Sequence, residues 1–361
     1  MEATEATRAT PGSPSSAFSI AKADLNAWVA GLLEAREVIA PTAAEDGDVL
    51  FLPIASPEQV LWEFRNPLAP PKPFLFPQLD PLLQIRTKGR GFALDPVDGA
   101  RPRILLNVRS CDARGFAMLR AMFAAEPADG AYLRRADATS LVTLACHEPC
   151  AEGFCVCCDA GPFLHDGFDL QLTDLGDRLL AEPGGGQGRR LLAEAGPLFA
   201  PAAAGDLARR LEREAEARRS FGPATCHFAS AMRRVSTGRV PDALWEAMGD
   251  WCLECGACNF LCPACYCFSV ADQGCDGGFT RCRLWDSCQY PAFTLEASGH
   301  NPRARRGERI KRRLFHKTSA QYYQRDGAVG CVGCGRCVRA CLGTTGLPAL
   351  VAAVRRGAWH G

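Results

Sequence analysis

The chain has no cysteine before Cys111 and no apolar run long enough to cross a bilayer. Stretches such as Leu347 to Val354 fall well short of the roughly 20 residues that a membrane helix needs, so no membrane insertion is expected. Neither sign of charge is in excess. Lys plus Arg number 41 and Asp plus Glu 40, for a net charge of +1, which removes the global signal for a nucleic-acid partner. Residues Met1 to Ser16 hold mostly Ala, Thr, Glu, Pro and Ser. They have no basic head followed by an apolar block, so they carry neither a Sec nor a twin-arginine signal and read as a disordered tail. Catalytic signatures are missing too. No G-x-S-x-G, H-E-x-x-H or P-loop is present. Gly184-Gly185-Gly186-Gln187-Gly188 lacks the spacing of a dinucleotide-binding loop and follows a hairpin rather than a buried strand. NAD(P)H and flavin are therefore expected on another chain.

Against these absences stand 20 cysteines in 361 residues. A chain of this size without an export signal is expected to be cytoplasmic, where thiols stay reduced, so metal binding is a better explanation than disulfides. The cysteines cluster, nine of them lying from Cys252 to Cys288.

The rest of the chain reads as two kinds of region. Ala17 to Ala40 has helical spacing at Leu25, Trp28, Val29, Leu32 and Leu33, and Val49 to Leu52 reads as a strand. Asn66 to Gln78 is crowded with proline and reads as an extended loop or linker. Arg103 to Val108, Ala113 to Ala125 and Ser140 to Ala145 form a β-α-β pattern, which implies parallel neighbouring strands. Asp169 to Glu182 reads as a hairpin, and Arg189 to Arg219 as a helix broken near Gly196 to Pro201. Sheet signals stop there. The expected fold is an α/β N-terminal domain, residues 17–220, followed by a mainly α-helical two-cluster ferredoxin-like domain, residues 221–361.

Two motifs carry the chemistry. The first is Cys252-x2-Cys255-x2-Cys258-x3-Cys262-Pro263, and the second is Cys331-x2-Cys334-x2-Cys337-x3-Cys341. This is the spacing of bacterial-type [4Fe–4S] sites. Two intervening residues let a tight turn aim successive thiolates at adjacent irons, and the fourth cysteine leaves to ligate the other cluster. One cluster is thus expected on Cys252, Cys255, Cys258 and Cys341, and the other on Cys331, Cys334, Cys337 and Cys262. Gly256, Gly333 and Gly335 allow backbone amides to approach the sulfides. Zinc prefers two separated cysteine pairs, which this pattern does not offer. Leu342 stands where a proline usually follows the fourth cysteine.

Several segments resemble a known family. They include Cys262-Pro263-Ala264-Cys265-Tyr266-Cys267-Phe268, Trp285-Asp286-Ser287-Cys288, Gly299-His300-Asn301, and Gly330 to Cys337. Earlier in the chain, Pro71 to Gln78, Val108 to Asp112 and Gly167 to Leu170 continue the likeness. Together they are similar to β subunits of cytoplasmic sulfhydrogenases and to the corresponding iron–sulfur subunit of anaerobic sulfite reductase, from about Ile20 to Leu350. The resemblance implies an electron-transfer subunit without a substrate of its own. It would relay electrons between a flavoprotein subunit that handles NAD(P)H and a catalytic subunit of hydrogenase or sulfite reductase type. The alternative is a metal-stabilised scaffold or assembly protein without redox turnover. A third reading is an enzyme with a substrate at the sheet edge that carries Cys111 and Cys146.

A third [4Fe–4S] cluster is expected at that edge. Cys111 and Cys146 follow the two parallel strands, and Cys155 and Cys157 follow in one loop. Site residues gather at such strand ends in α/β folds, and the resembling family implies cysteines at the same four positions. Cys150 and Cys158 are near enough in sequence to substitute. Cys265, Cys267 and Cys288 read as packing beside a cluster, with a metal site of their own as the alternative, and Cys226, Cys275 and Cys282 as ordinary thiols. The eight Lys and Arg residues from Arg303 to Lys317 read as a solvated helix face, then as a dock for an acidic partner, and only last as a nucleic-acid contact.

Overall fold

The computed structural model describes residues 17–222, 225–275 and 277–360. The expected N-terminal tail, 1–16, lies outside them.

Twelve strands form two sheets among these residues. In chain order they are β1 (Phe18–Ala21), β2 (Glu37–Ala43), β3 (Val49–Pro53), β4 (Leu79–Lys88), β5 (Gly91–Pro96), β6 (Arg103–Arg109), β7 (Thr139–Leu144), β8 (Leu170–Asp174), β9 (Arg178–Pro183), β10 (Ala200–Pro201), β11 (Phe268–Cys275) and β12 (Gly278–Trp285). The larger sheet runs β10-β1-β9-β8-β7-β6-β2-β3 and the smaller runs β11-β12-β4-β5.

The large sheet has a parallel centre. β6 pairs in parallel with β2 and β7, and β7 with β8, whereas β8 and β9 form the expected antiparallel hairpin. Every residue of β6 is buried, as expected for a parallel strand covered on both faces. Ile104 and Leu106 pack with Trp28, Val29, Leu191 and Leu192 on one side. Leu105 and Val108 pack with Phe116, Leu119, Phe123 and Tyr132 on the other. The helices Leu25–Ala35 and Gly186–Ala195 thus cover one face, and Ser110–Ala124 and Gly130–Asp137 cover the other.

Register shifts between Leu105 and Val108, where Asn107 has φ +58°. Asn tolerates the left-handed region better than most residues. Its amide nitrogen donates to the carbonyls of Leu61 and Trp62 at 3.0 and 3.2 Å. This bulge sits just before Cys111, and bulges are a usual way to re-aim a strand end near a site.

Two expectations change. The stretch from Ala17 to Ala40 is helical only over Leu25–Ala35, because Phe18–Ala21 pairs with β9 and Glu37 opens β2. Sheet structure also does not stop after residue 220. β11 and β12 form a hairpin that joins β4 and β5, so the smaller sheet takes strands from both sides of that expected boundary. The remainder of the C-terminal region is helical. Trp245, Met248, Ile310, Leu314, Leu350 and Val354 pack in one core, which also takes in Cys111 and Phe154 from the N-terminal region.

No helix among the described residues is long and apolar enough to cross a membrane.

Candidate metal centres

The first motif begins where the helix Asp242–Asp250 ends. Its thiols Cys252, Cys255 and Cys258 line a pocket of about 20 Å³ together with Cys341, from the other end of the region. Gln289, Arg313 and Thr345 complete the wall. The hydroxyl of Thr345 lies 3.3 Å from Cys341 Sγ. Burial pushes the Cys258 thiol up to about 12 and also raises Cys252.

The second motif gathers around Cys262. Cys331, Cys334 and Cys337 each have Cys262 as a charged neighbour. Cys262 is held well below the usual thiol range, first by a hydrogen bond from Cys265 and then by Lys317 and Lys72. Lys317 Nζ lies 3.6 Å from Cys262 Sγ. Cys341 thus lies in one pocket wall with the first three thiols of the first motif, and Cys262 is a neighbour of the first three thiols of the second.

A third group lies at the carboxyl ends of β6 and β7. A cavity of about 950 Å³ opens there, and Cys111, Cys146, Cys150 and Cys155 line it with Cys334. Cys157 is not in that wall, which differs from expectation. Cys155–Cys157 is a single 3-10 turn, and three residues per turn send residues two apart in different directions. Cys157 Sγ instead accepts from the Cys226 amide at 3.4 Å, and the Cys158 thiol lies beside that of Cys331. Cys150 stands in the wall where Cys157 was expected.

The cavity group and the second motif meet along a seam. The Phe154 amide donates to the Gly333 carbonyl at 2.7 Å. Gly333 has φ +61°, and a Cβ there would lie 2.4 Å from the Phe154 oxygen. Beneath the seam Arg336 grips Asp112 through both guanidinium nitrogens, one at 2.9 Å, with both side chains buried. Asn66 donates to the Cys334 carbonyl at 2.8 Å.

Cys265, Cys267 and Cys288 surround one side chain. Asn259 Nδ2 lies 3.6, 4.0 and 3.5 Å from their sulfurs. The hydroxyl of Ser287 donates to Asn259 Oδ1 at 2.8 Å, which aims the amide N–H groups at the sulfurs. Cys288 is lowered to about 6, chiefly by a hydrogen bond from Cys267.

The basic run from Arg303 to Lys317 departs most from its expected role. In the helix Arg306–Thr318, Arg309, Arg313 and Lys317 are buried. They recur every fourth residue and so share one face. That spacing, beside the buried Ile310 and Leu314, was the signal available in the sequence. Lys72, only 1% exposed, lies 3.9 Å above the Trp285 ring and reaches the carbonyls of Asn259 and Cys265 at 3.3 and 3.2 Å.

Comparison with known proteins bears on the region that carries the two motifs. Residues 251–345 match the 4Fe–4S dicluster domain. The match contains all eight motif cysteines. The chain is also similar to the sulfhydrogenase 2 subunit beta of Pyrococcus furiosus, at 29% identity over 285 residues, which is 78% of this chain and 81% of that one. The resemblance read from the sequence segments therefore holds over most of the chain. No solved structure matches. Iron–sulfur clusters and a part in electron transfer follow from the dicluster region.

Proposed function

We propose that this chain is the electron relay of a multi-subunit oxidoreductase, passing electrons through [4Fe–4S] clusters between a catalytic subunit of hydrogenase type and a flavoprotein subunit. The observation that carries this reading is where the buried cations sit. Arg103, Arg135, Arg210, Arg283, Arg309 and Arg336 each meet a carboxylate. Lys72, Arg109, Arg313 and Lys317 are buried as well, yet no carboxylate among the described residues pairs with them. All four have cysteine neighbours instead. An unpaired buried charge is costly. A cluster on four thiolates is a buried anion and supplies the missing partner.

Under this reading Cys252, Cys255, Cys258 and Cys341 hold one cluster, and Cys331, Cys334, Cys337 and Cys262 hold another. A third belongs to Cys111, Cys146 and Cys155, with Cys150 favoured over Cys157 as fourth ligand because it lines the cavity. Clusters fit better than zinc. Among the described residues no three metal-ligating side chains converge closely enough for one ion, whereas a cube holds its four sulfurs apart. When bound, the clusters supply one-electron storage at spaced positions. The protein fixes their spacing, withholds water and sets their potentials through charge and N–H···S contacts. The similarity to a beta subunit supports the presence of partner subunits.

The test is metal quantification and EPR on anaerobically purified protein, before and after dithionite. Two clusters predict about eight irons per chain and three predict about twelve, with reducible signals. Stoichiometric zinc without such signals would leave a metal-stabilised scaffold as the reading.

A further inference from the structure

The unpaired cations are not shared equally between the two dicluster sites. Lys317 lies 3.6 Å from Cys262 Sγ and also neighbours Cys265 and Cys331. Lys72 neighbours Cys265, Cys262 and Cys267. Both ammonium groups therefore bear on the set completed by Cys262. Arg313 lies between the sets. It donates to the Thr345 carbonyl at 2.9 Å and neighbours Cys258 of one motif and Cys337 of the other. Among the described residues, the set completed by Cys341 has this shared guanidinium as its one cation without a carboxylate partner, and the Glu254 carboxylate near its Cys252 is paired with Arg306 and Arg309.

We infer that Lys72 and Lys317 make the Cys331/Cys334/Cys337/Cys262 cluster the more easily reduced of the two, so that it holds the electron when the relay carries one. The inference rests on the relay reading above. Reduction adds one negative charge to a cluster. A fixed cation nearby favours that added charge and raises the potential, and a carboxylate nearby lowers it. Burial works the other way, because water stabilises the reduced form, and Cys255 of the first set is exposed. Two ammonium groups within the same dry region outweigh that loss, since attraction at short range is little screened there.

Fixed contacts hold both lysines in place: Lys317 Nζ lies 3.6 Å from Cys262 Sγ, and Lys72 Nζ reaches the carbonyls of Asn259 and Cys265 at 3.3 and 3.2 Å. A methionine at either position would fill similar volume without charge. An arginine at 317 would keep the charge.

The experiment is an EPR-monitored redox titration of the full-length holoprotein, with Cys334→Ser used to assign the second cluster's signal. In the wild type the second cluster should reduce first. Lys317→Met and Lys72→Met should each move its midpoint to lower potential, and by more than the first cluster's midpoint, at unchanged iron content. Lys317→Arg should restore the wild-type value. Midpoints of the second cluster unchanged in both methionine variants would overturn the inference, as would a first cluster that reduces first in the wild type. Absence of any reducible cluster would instead overturn the relay reading itself. If Lys317→Met fails to retain iron, Lys72→Met and Lys317→Arg still decide the outcome.

Discussion

Thiols are brought together in two different ways in this molecule. In residues 251–345 local spacing gathers three cysteines, and Cys341 from the other motif joins them at a pocket of about 20 Å³. At the carboxyl edge of the large sheet topology does it, placing Cys111 and Cys146 at the ends of neighbouring parallel strands beside a cavity of about 950 Å³. The first kind of site has three of its thiols written in seven residues, and only the fourth comes from the other motif. The second exists only once β6 and β7 have paired and the loop carrying Cys150 and Cys155 has folded back over them. A short motif thus guarantees ligands, whereas a sheet edge guarantees only that ligands from distant segments can meet.

This contrast can be broken at the ligands. Replacing Cys146 with Ser should remove about four irons per chain, one cube's worth, and leave both dicluster EPR signals intact. Cys150→Ser should do the same and Cys157→Ser should not. Iron loss from Cys157→Ser alone would return Cys157 to the third set. The next largest effect is expected at the join between the regions. Asp112→Ala leaves Arg336 buried without its partner and should cost about 3–5 kcal/mol, read as a lower denaturant midpoint of the holoprotein. Gly333→Ala is the smallest. The left-handed backbone alone should cost about 1–2 kcal/mol, and the clash with Phe154 adds to it, so its denaturation midpoint should fall measurably without loss of the first cluster's signal.

The dicluster region was legible in the sequence, because the cysteine spacing is itself the geometric requirement. The β6-helix-β7 unit was legible for a similar reason: a buried parallel strand needs a mainly apolar stretch, and Ile104, Leu105, Leu106 and Val108 supply one. Other features depended on distant partners. β4 contains Pro81, and β11 carries Asp272, Gln273 and Gly274, so neither reads as a strand until the two hairpins pair. Arg313 and Lys317 looked solvent-facing because charge normally is. Only the thiols facing them make burial tolerable, and those lie on other segments. Cys157 was placed by its loop and by the family resemblance, and it lies outside the cavity wall that Cys155 lines, one 3-10 turn away.

The seam at Gly333 and Phe154 has one more consequence. It joins a loop of the sheet-edge site to a loop of the second motif by a backbone hydrogen bond, with no room for a side chain between them. A hinge between the two regions would have to open at this line and would break that bond as it moved. The spacing between the sheet-edge thiols and the second motif is therefore tied to this contact. If the chain relays electrons as proposed, gating by a change in that spacing would first have to break this bond.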